Sequence, residues 1–216
     1  MIEQAKTAVA SSDRTGAPSP GEAKRAQVLS GAREVFMARG FAAASMGEIA
    51  RAAGVSKGTL YVYFDGKTAL FQALISEQKR NTAERLATFD PADHDVEAVL
   101  RDFARRLIAA LTAPEHVALI RMVIGAAEAF PDISRSFFVN GAAYGARRLA
   151  AYLAAQAEEG VLALDDPEDA AWRFLGMCNM PALTAVVLGG ERPDEAEISR
   201  RADGAVKTFM AASRSA

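Results

Sequence analysis

The chain has 216 residues, half of them hydrophobic and 24% charged, with a formal net charge of −2, which excludes a disordered or membrane-dominated protein. A single cysteine, Cys178, excludes an internal disulfide and argues against a structural zinc site. No run of eighteen apolar residues exists and the first twenty residues lack the apolar core of a signal peptide, so a cytoplasmic location with no membrane partner is expected.

The small net charge conceals an asymmetry. Residues 1–88 carry 12 Lys/Arg against 8 Asp/Glu, and residues 89–216 carry 13 against 19, so the first segment is +4 and the second −6. A polyanion would be drawn to the first and repelled by the second, over a range of about 10 Å at moderate salt.

In chain order, residues 1–18 are small and polar without periodicity and read as a flexible tail. Ser19-Pro20-Gly21-Glu22 then combines an N-cap serine, a proline at the first helical position and a glutamate three residues after the cap. The helix it opens keeps Val28, Ala32, Val35 and Phe36 at three- and four-residue spacing and is expected to stop at Gly40. Ser45-Met46-Gly47-Glu48 repeats the capping pattern, opening a second helix with Ile49, Ala50 and Ala53 inward and Gly54 as its stop. Ser56 caps a third.

Two short helices joined by a glycine-containing turn form a helix-turn-helix pattern, whose second helix enters a major groove. On a 100° wheel Leu60 and Phe64 form an anchoring stripe; Gly58, Thr59, Val62 and Tyr63 lie opposite, with Tyr61 at the edge. Hydroxyls and amides on such a face match phosphate acceptors, Ser56 and Lys57 sit where helical N–H groups favour an anion, Gly58 permits close backbone approach, and Val62 can touch a thymine methyl. From spacing alone a tyrosine-rich packing helix, or a helical module meeting protein instead of DNA, stays open.

Residues 24–75, KRAQVLSGAREVFMARGFAAASMGEIARAAGVSKGTLYVYFDGKTALFQALI, closely resemble the N-terminal DNA-binding domain of the TetR family of bacterial transcriptional regulators. The resemblance rests on Ala32, Phe36, Gly40 and Phe41 in the first helix, the Ile49–Ser56 block and the Gly58–Lys67 block. It implies an all-α fold, with a three-helix helix-turn-helix domain over 19–66 and a helical ligand-binding and dimerisation domain over 67–216. It also implies phosphate contact by Ser45, contacts to base edges or backbone by Ser56, Lys57, Gly58, Thr59, Tyr61 and Tyr63, and a phosphate-binding lysine at Lys67. Val62 departs from the family's frequent tyrosine or histidine. Gly66 and Thr68 replace its usual polar cap and acidic residue, leaving Asp65 as the expected cap of the fourth helix.

Beyond residue 89, helices are expected over 94–112, 115–129, 132–159, 167–189 and 194–212, punctuated by Pro131, Gly160, Pro167 and Pro193, with a kink at Met180-Pro181. The stretches LIRMVIGAAEAFPDISRSFF and GARRLAAYLAAQAEEGVL resemble the AefR-type C-terminal domain. Aromatic and polarizable side chains on apolar faces give the pocket candidates: Phe103, Leu107, Met122, Phe137, Phe138, Tyr144, Trp172 and Met177, with Arg121 to pair with Glu128 or orient a polar ligand. The expected partners are a double-stranded DNA operator, a hydrophobic small-molecule effector and a second copy of the chain. Catalysis is not expected, because the two histidines, His94 and His116, lie far apart in sequence. No nucleotide loop, nucleophile elbow or metal spacing appears, so neither cofactor nor metal is expected.

Overall fold

The structure, a computed structural model, describes residues 19–213, with all their side chains except those of 77–83; the tail expected over 1–18 lies outside the described residues. Among them are eleven α-helices and no strand. The first four are α1 (Pro20–Ala43), α2 (Met46–Ala52), α3 (Lys57–Tyr63) and α4 (Lys67–Leu86); then come α5 (Val96–Leu111), α6 (Pro114–Ala126), α7 (Pro131–Asn140) and α8 (Ala142–Glu158); α9 (Pro167–Asn179), α10 (Ala182–Val187) and α11 (Glu195–Ser213) complete the chain.

Local chemistry sets most of these starts. Ser19 and Glu22 form the reciprocal capping box, as do Ser45 and Glu48, and Ser56 caps α3 alone. Asp95 and Asp166 cap α5 and α9 by accepting hydrogen bonds from the first-turn amides. Gly40 turns the chain out of helical geometry at φ 75°, the left-handed region that glycine enters without cost, and one further turn carries Phe41 into the core.

Three boundaries differ from the sequence reading. The helix expected over 132–159 divides into α7 and α8 at Gly141, whose ψ of −92° is not helical; glycine contributes little helix propensity to hold the two together. The helix expected over 167–189 breaks into α9 and α10 at the anticipated place, because Pro181 has no N–H to continue the ladder; the Met180–Pro181 peptide is cis. Helix α4 begins at Lys67, which puts Gly66 rather than Asp65 at the cap position.

Packing forms two cores. One joins α5, α8, α9 and α11 around Leu100, Phe103, Leu149, Tyr152, Phe174 and Phe209. The other holds α1–α4 around Val28, Phe36, Ile49, Leu60 and Phe71, and it also recruits Leu119, Met122, Val123 and Ala126 of α6 and Ile133 of α7. Leu70, Phe71, Leu74 and Ile75 of α4 lie in this second core, so the N-terminal packing unit extends past residue 66. Helix α6 therefore rests on α1 and the N-terminal core while belonging in sequence to the C-terminal half.

Candidate nucleic-acid interface

The α2–turn–α3 unit is held from behind by α1. Gly31 meets Ala53 so closely that a β-carbon on it would stand 2.4 Å from the Ala53 amide nitrogen. Four residues earlier, Gln27 Nε2 donates to the Ala53 carbonyl at 2.7 Å, and Lys24 Nζ donates to Gln27 Oε1 at 2.9 Å. Gly54, at φ 63°, then reverses the chain toward α3.

On α3 the anchoring stripe is as expected: Leu60 and Phe64 are buried. On the opposite face Val62 is 80% and Tyr61 51% exposed, too open for either to be core. Tyr63, placed outward by the wheel, is half-buried and packs against the N-terminal core, so a seven-residue helix offers Tyr61 more fully than Tyr63. Gly58 is exposed and Thr59 half-exposed. Ser56 Oγ accepts the Thr59 amide at 3.0 Å and pairs with Thr59 Oγ1 at 2.8 Å.

Ser45 and Lys57 come together at the start of α2. A β-carbon on Gly47 would lie 3.0 Å from Lys57 Cε and 3.5 Å from its Nζ, so the lysine lies across the surface that this glycine leaves bare. Ser45 Oγ accepts the Glu48 amide and donates to Glu48 Oε2 at 2.8 Å. The Ser45 side chain, above all, holds the Glu48 carboxyl below its usual range; the Ser45 amide, Arg39 and Arg51 act in the same direction and burial opposes them. Lys67 is set differently. Its Nζ donates to the Ala42 and Ala44 carbonyls at 2.9 and 3.0 Å and stands 4.8 Å from the centre of the Phe41 ring.

The ligand candidates are divided between the two cores. Phe103, Leu107, Trp172 and Met177 belong to the C-terminal core or pack against it, whereas Met122 and Phe137 belong with the N-terminal core. Phe138 is exposed and stacks on Trp172 with ring centres 5.8 Å apart and planes within 6°. Tyr144 is half-buried on α8. Arg121 reaches neither Glu128 nor the interior: its Nε and Nη2 donate to the Val187 and Val186 carbonyls at 2.9 and 2.8 Å, closing the C-terminal end of α10. Sequence reasoning overlooked Gln27 and Gly31, because a contact across more than twenty residues leaves no periodic signal. It also overlooked Arg25, whose guanidinium lies 5.3 Å from the centre of the Phe64 ring. Among the described residues no cluster of His, Cys, Asp and Glu could hold a metal ion, and no single helix is long and apolar enough to cross a membrane.

Residues 28–74 match the tetR family of bacterial regulatory proteins, and residues 98–214 match the AefR-like transcriptional repressor C-terminal domain. The chain belongs to the TetR family. TetR-family proteins are DNA-binding transcriptional regulators, not enzymes. The flavonoid-responsive regulator FrrA shares 34% identity, with 89% of this chain and 97% of that one superposing at a TM-score of 0.78. A TetR-family crystal structure from Mesorhizobium loti MAFF303099 superposes at 0.84, with 28% identity over 92% of this chain and all of the other. The transcriptional activator FasR of Mycolicibacterium smegmatis is 43% identical over 72 residues, 33% of each chain. The regulator UidR of Escherichia coli K12 is 41% identical over 61 residues, 28% of this chain and 31% of its own. Among these curated TetR relatives the similarity thus spans about a third of their length.

Proposed function

We propose that this TetR-family protein is a dimeric repressor that binds a roughly palindromic operator and leaves it when a small hydrophobic effector binds. The observation that carries the DNA-binding half is the α3 face, where Tyr61 and Val62 are exposed beside Ser56, Lys57, Gly58 and Thr59 while Leu60 and Phe64 anchor the helix. Ser45 and the half-buried Tyr63 complete the face. Two copies would set their α3 helices in successive major grooves about 34–36 Å apart.

Control by an effector is supported by the position of α6. One face packs on α1, the helix that backs the helix-turn-helix, and brings Leu119, Met122, Val123 and Ala126 into the N-terminal core, while Arg121 ties it to the end of α10. A ligand that prefers one setting of α6 would shift the spacing of the DNA-reading helices, and about 1–3 kcal/mol of coupling suffices for severalfold to hundredfold release. The AefR-like repressor match of the C-terminal domain supports repression, and the flavonoid-responsive relative supports an apolar or aromatic effector.

The test is a salt titration. With about four phosphate contacts per subunit, affinity of the purified protein for a duplex selected from a randomised pool should fall with a log–log slope near −7. A slope near zero, or no duplex recovered, sinks the reading.

A further inference from the structure

The two halves of the chain are joined by residues 87–95, a segment between α4 and α5 with a single short turn. One stripe of α8 holds it. Arg148, Tyr152 and Gln156 stand four residues apart and so share a helix face, and each donates to a carbonyl of the segment: Arg148 Nε to Ala87 at 3.3 Å, Tyr152 Oη to Asp93 and Gln156 Nε2 to Pro91, both at 2.8 Å. Phe89 anchors the segment between helices, stacked on Tyr152 with ring centres 5.4 Å apart and edge-on to Phe103 of α5 at 5.0 Å. Gln156 is fully buried and uses both ends of its amide. The Pro91 carbonyl only accepts, so Nε2 faces it and Oε1 is left for His94, whose Nδ1 lies 2.9 Å away and must therefore carry a proton. Burying a side-chain amide costs free energy unless it is hydrogen-bonded, and here its partners all lie in the connecting segment.

We infer that the Arg148, Tyr152 and Gln156 stripe is the seat that fixes where α4 enters the C-terminal core, with Gln156 as its main positioning residue, so that a shift of α8 is handed through residues 87–95 to α4 and the helix-turn-helix. Helix α4 carries the shift because its first half, through Leu70, Phe71, Leu74 and Ile75, lies in the N-terminal core. This route is separate from α6. The inference deepens the reading of effector control and rests on it only where the test uses DNA.

Two variants test it. Gln156→Leu keeps a side chain of similar size in the core and removes the amide; its partners Pro91 and His94 are exposed and turn to water, so the loss falls on the segment. His94→Ala removes one of the bonds from an exposed position and decides the matter if the leucine variant does not fold. Under the inference, amide exchange of residues 87–95 in the DNA-free protein rises about tenfold in Gln156→Leu and less in His94→Ala, with residues 100–108 of α5 unchanged. Affinity of Gln156→Leu for the selected duplex falls about threefold to tenfold at every salt concentration, and the salt slope keeps its wild-type value because no phosphate contact is lost. Unchanged exchange in 87–95, a rise spread equally over 100–108, or a loosened segment with wild-type duplex affinity overturns the inference. Failure of the wild-type protein to bind any duplex counts against the DNA reading alone, and the exchange pattern still decides whether α8 seats the segment.

Discussion

Gly31 and Ala53 touch backbone to side: a β-carbon added to Gly31 would lie 2.4 Å from the Ala53 nitrogen and 2.6 Å from its α-carbon. This contact seats the end of α2 on α1, and Leu60 and Ile49, both fully buried, complete the seat. The rigidity of the DNA-reading helix begins at this crossing rather than on α3 itself.

Gly31→Ala should therefore destabilise the fold by about 1–3 kcal/mol, because the colliding atoms are backbone and cannot rotate away. Urea unfolding measures it. A midpoint equal to wild type would mean that α1 and α2 separate at no cost and that the close crossing is incidental.

Gln27 holds the same turn by one hydrogen bond to the Ala53 carbonyl. Gln27→Ala should cost about 0.5–1.5 kcal/mol. Gln27→Glu should cost more at pH 7, since it brings a carboxylate to a carbonyl oxygen, and its excess over alanine should shrink as the carboxylate protonates on acidification. Equal costs at every pH would show that the 27–53 bond does not form in solution.

Lys57 and Tyr61 should separate charge from contact. Lys57→Ala should reduce the salt slope of duplex binding by about 1.8 over a dimer, and Tyr61→Ala should lower affinity with the slope unchanged, because a phenol releases no counterion. Both side chains are exposed, so unfolding midpoints should stay within about 0.5 kcal/mol of wild type. A large loss of stability in either variant would make the residue structural.

Tyr152 gives the fold an alkaline limit. Its hydroxyl donates to the Asp93 carbonyl at 2.8 Å, and burial, reinforced by Asp93, Asp95 and Asp90, pushes its pKa up to about 12. Because the folded value lies above the unfolded one near 10, the stabilising contribution is complete below pH 10 and is lost as pH rises towards 12. Buried Cys178, also pushed up to about 12, acts in the same direction from about pH 9. Tyr152→Phe should lower stability at pH 7 through the lost hydrogen bond, yet flatten its decline between pH 10 and 12. A decline as steep as that of wild type would assign the alkaline limit to other groups.

Features that depend on near neighbours can be read from the order of residues alone. Capping boxes at Ser19 and Ser45, the glycine reversal at Gly54 and the Leu60–Phe64 stripe follow from three- and four-residue spacing, so the helix-turn-helix and its outward face were legible. The remaining features depend on which helices meet. Tyr63 turns partly inward because a core lies beneath it, Arg121 serves the end of α10 because that helix stops within its reach, and the pocket candidates divide between two cores because α6 and α7 pack on α1 and α4. Lys67 is a further case. The resemblance gives it a phosphate contact, and only the approach of the α1 terminus 23 and 25 residues earlier adds the carbonyls that its charge meets while DNA is absent. Periodicity reports the face of a helix; the partner of that face is set by packing across distances that no local pattern encodes.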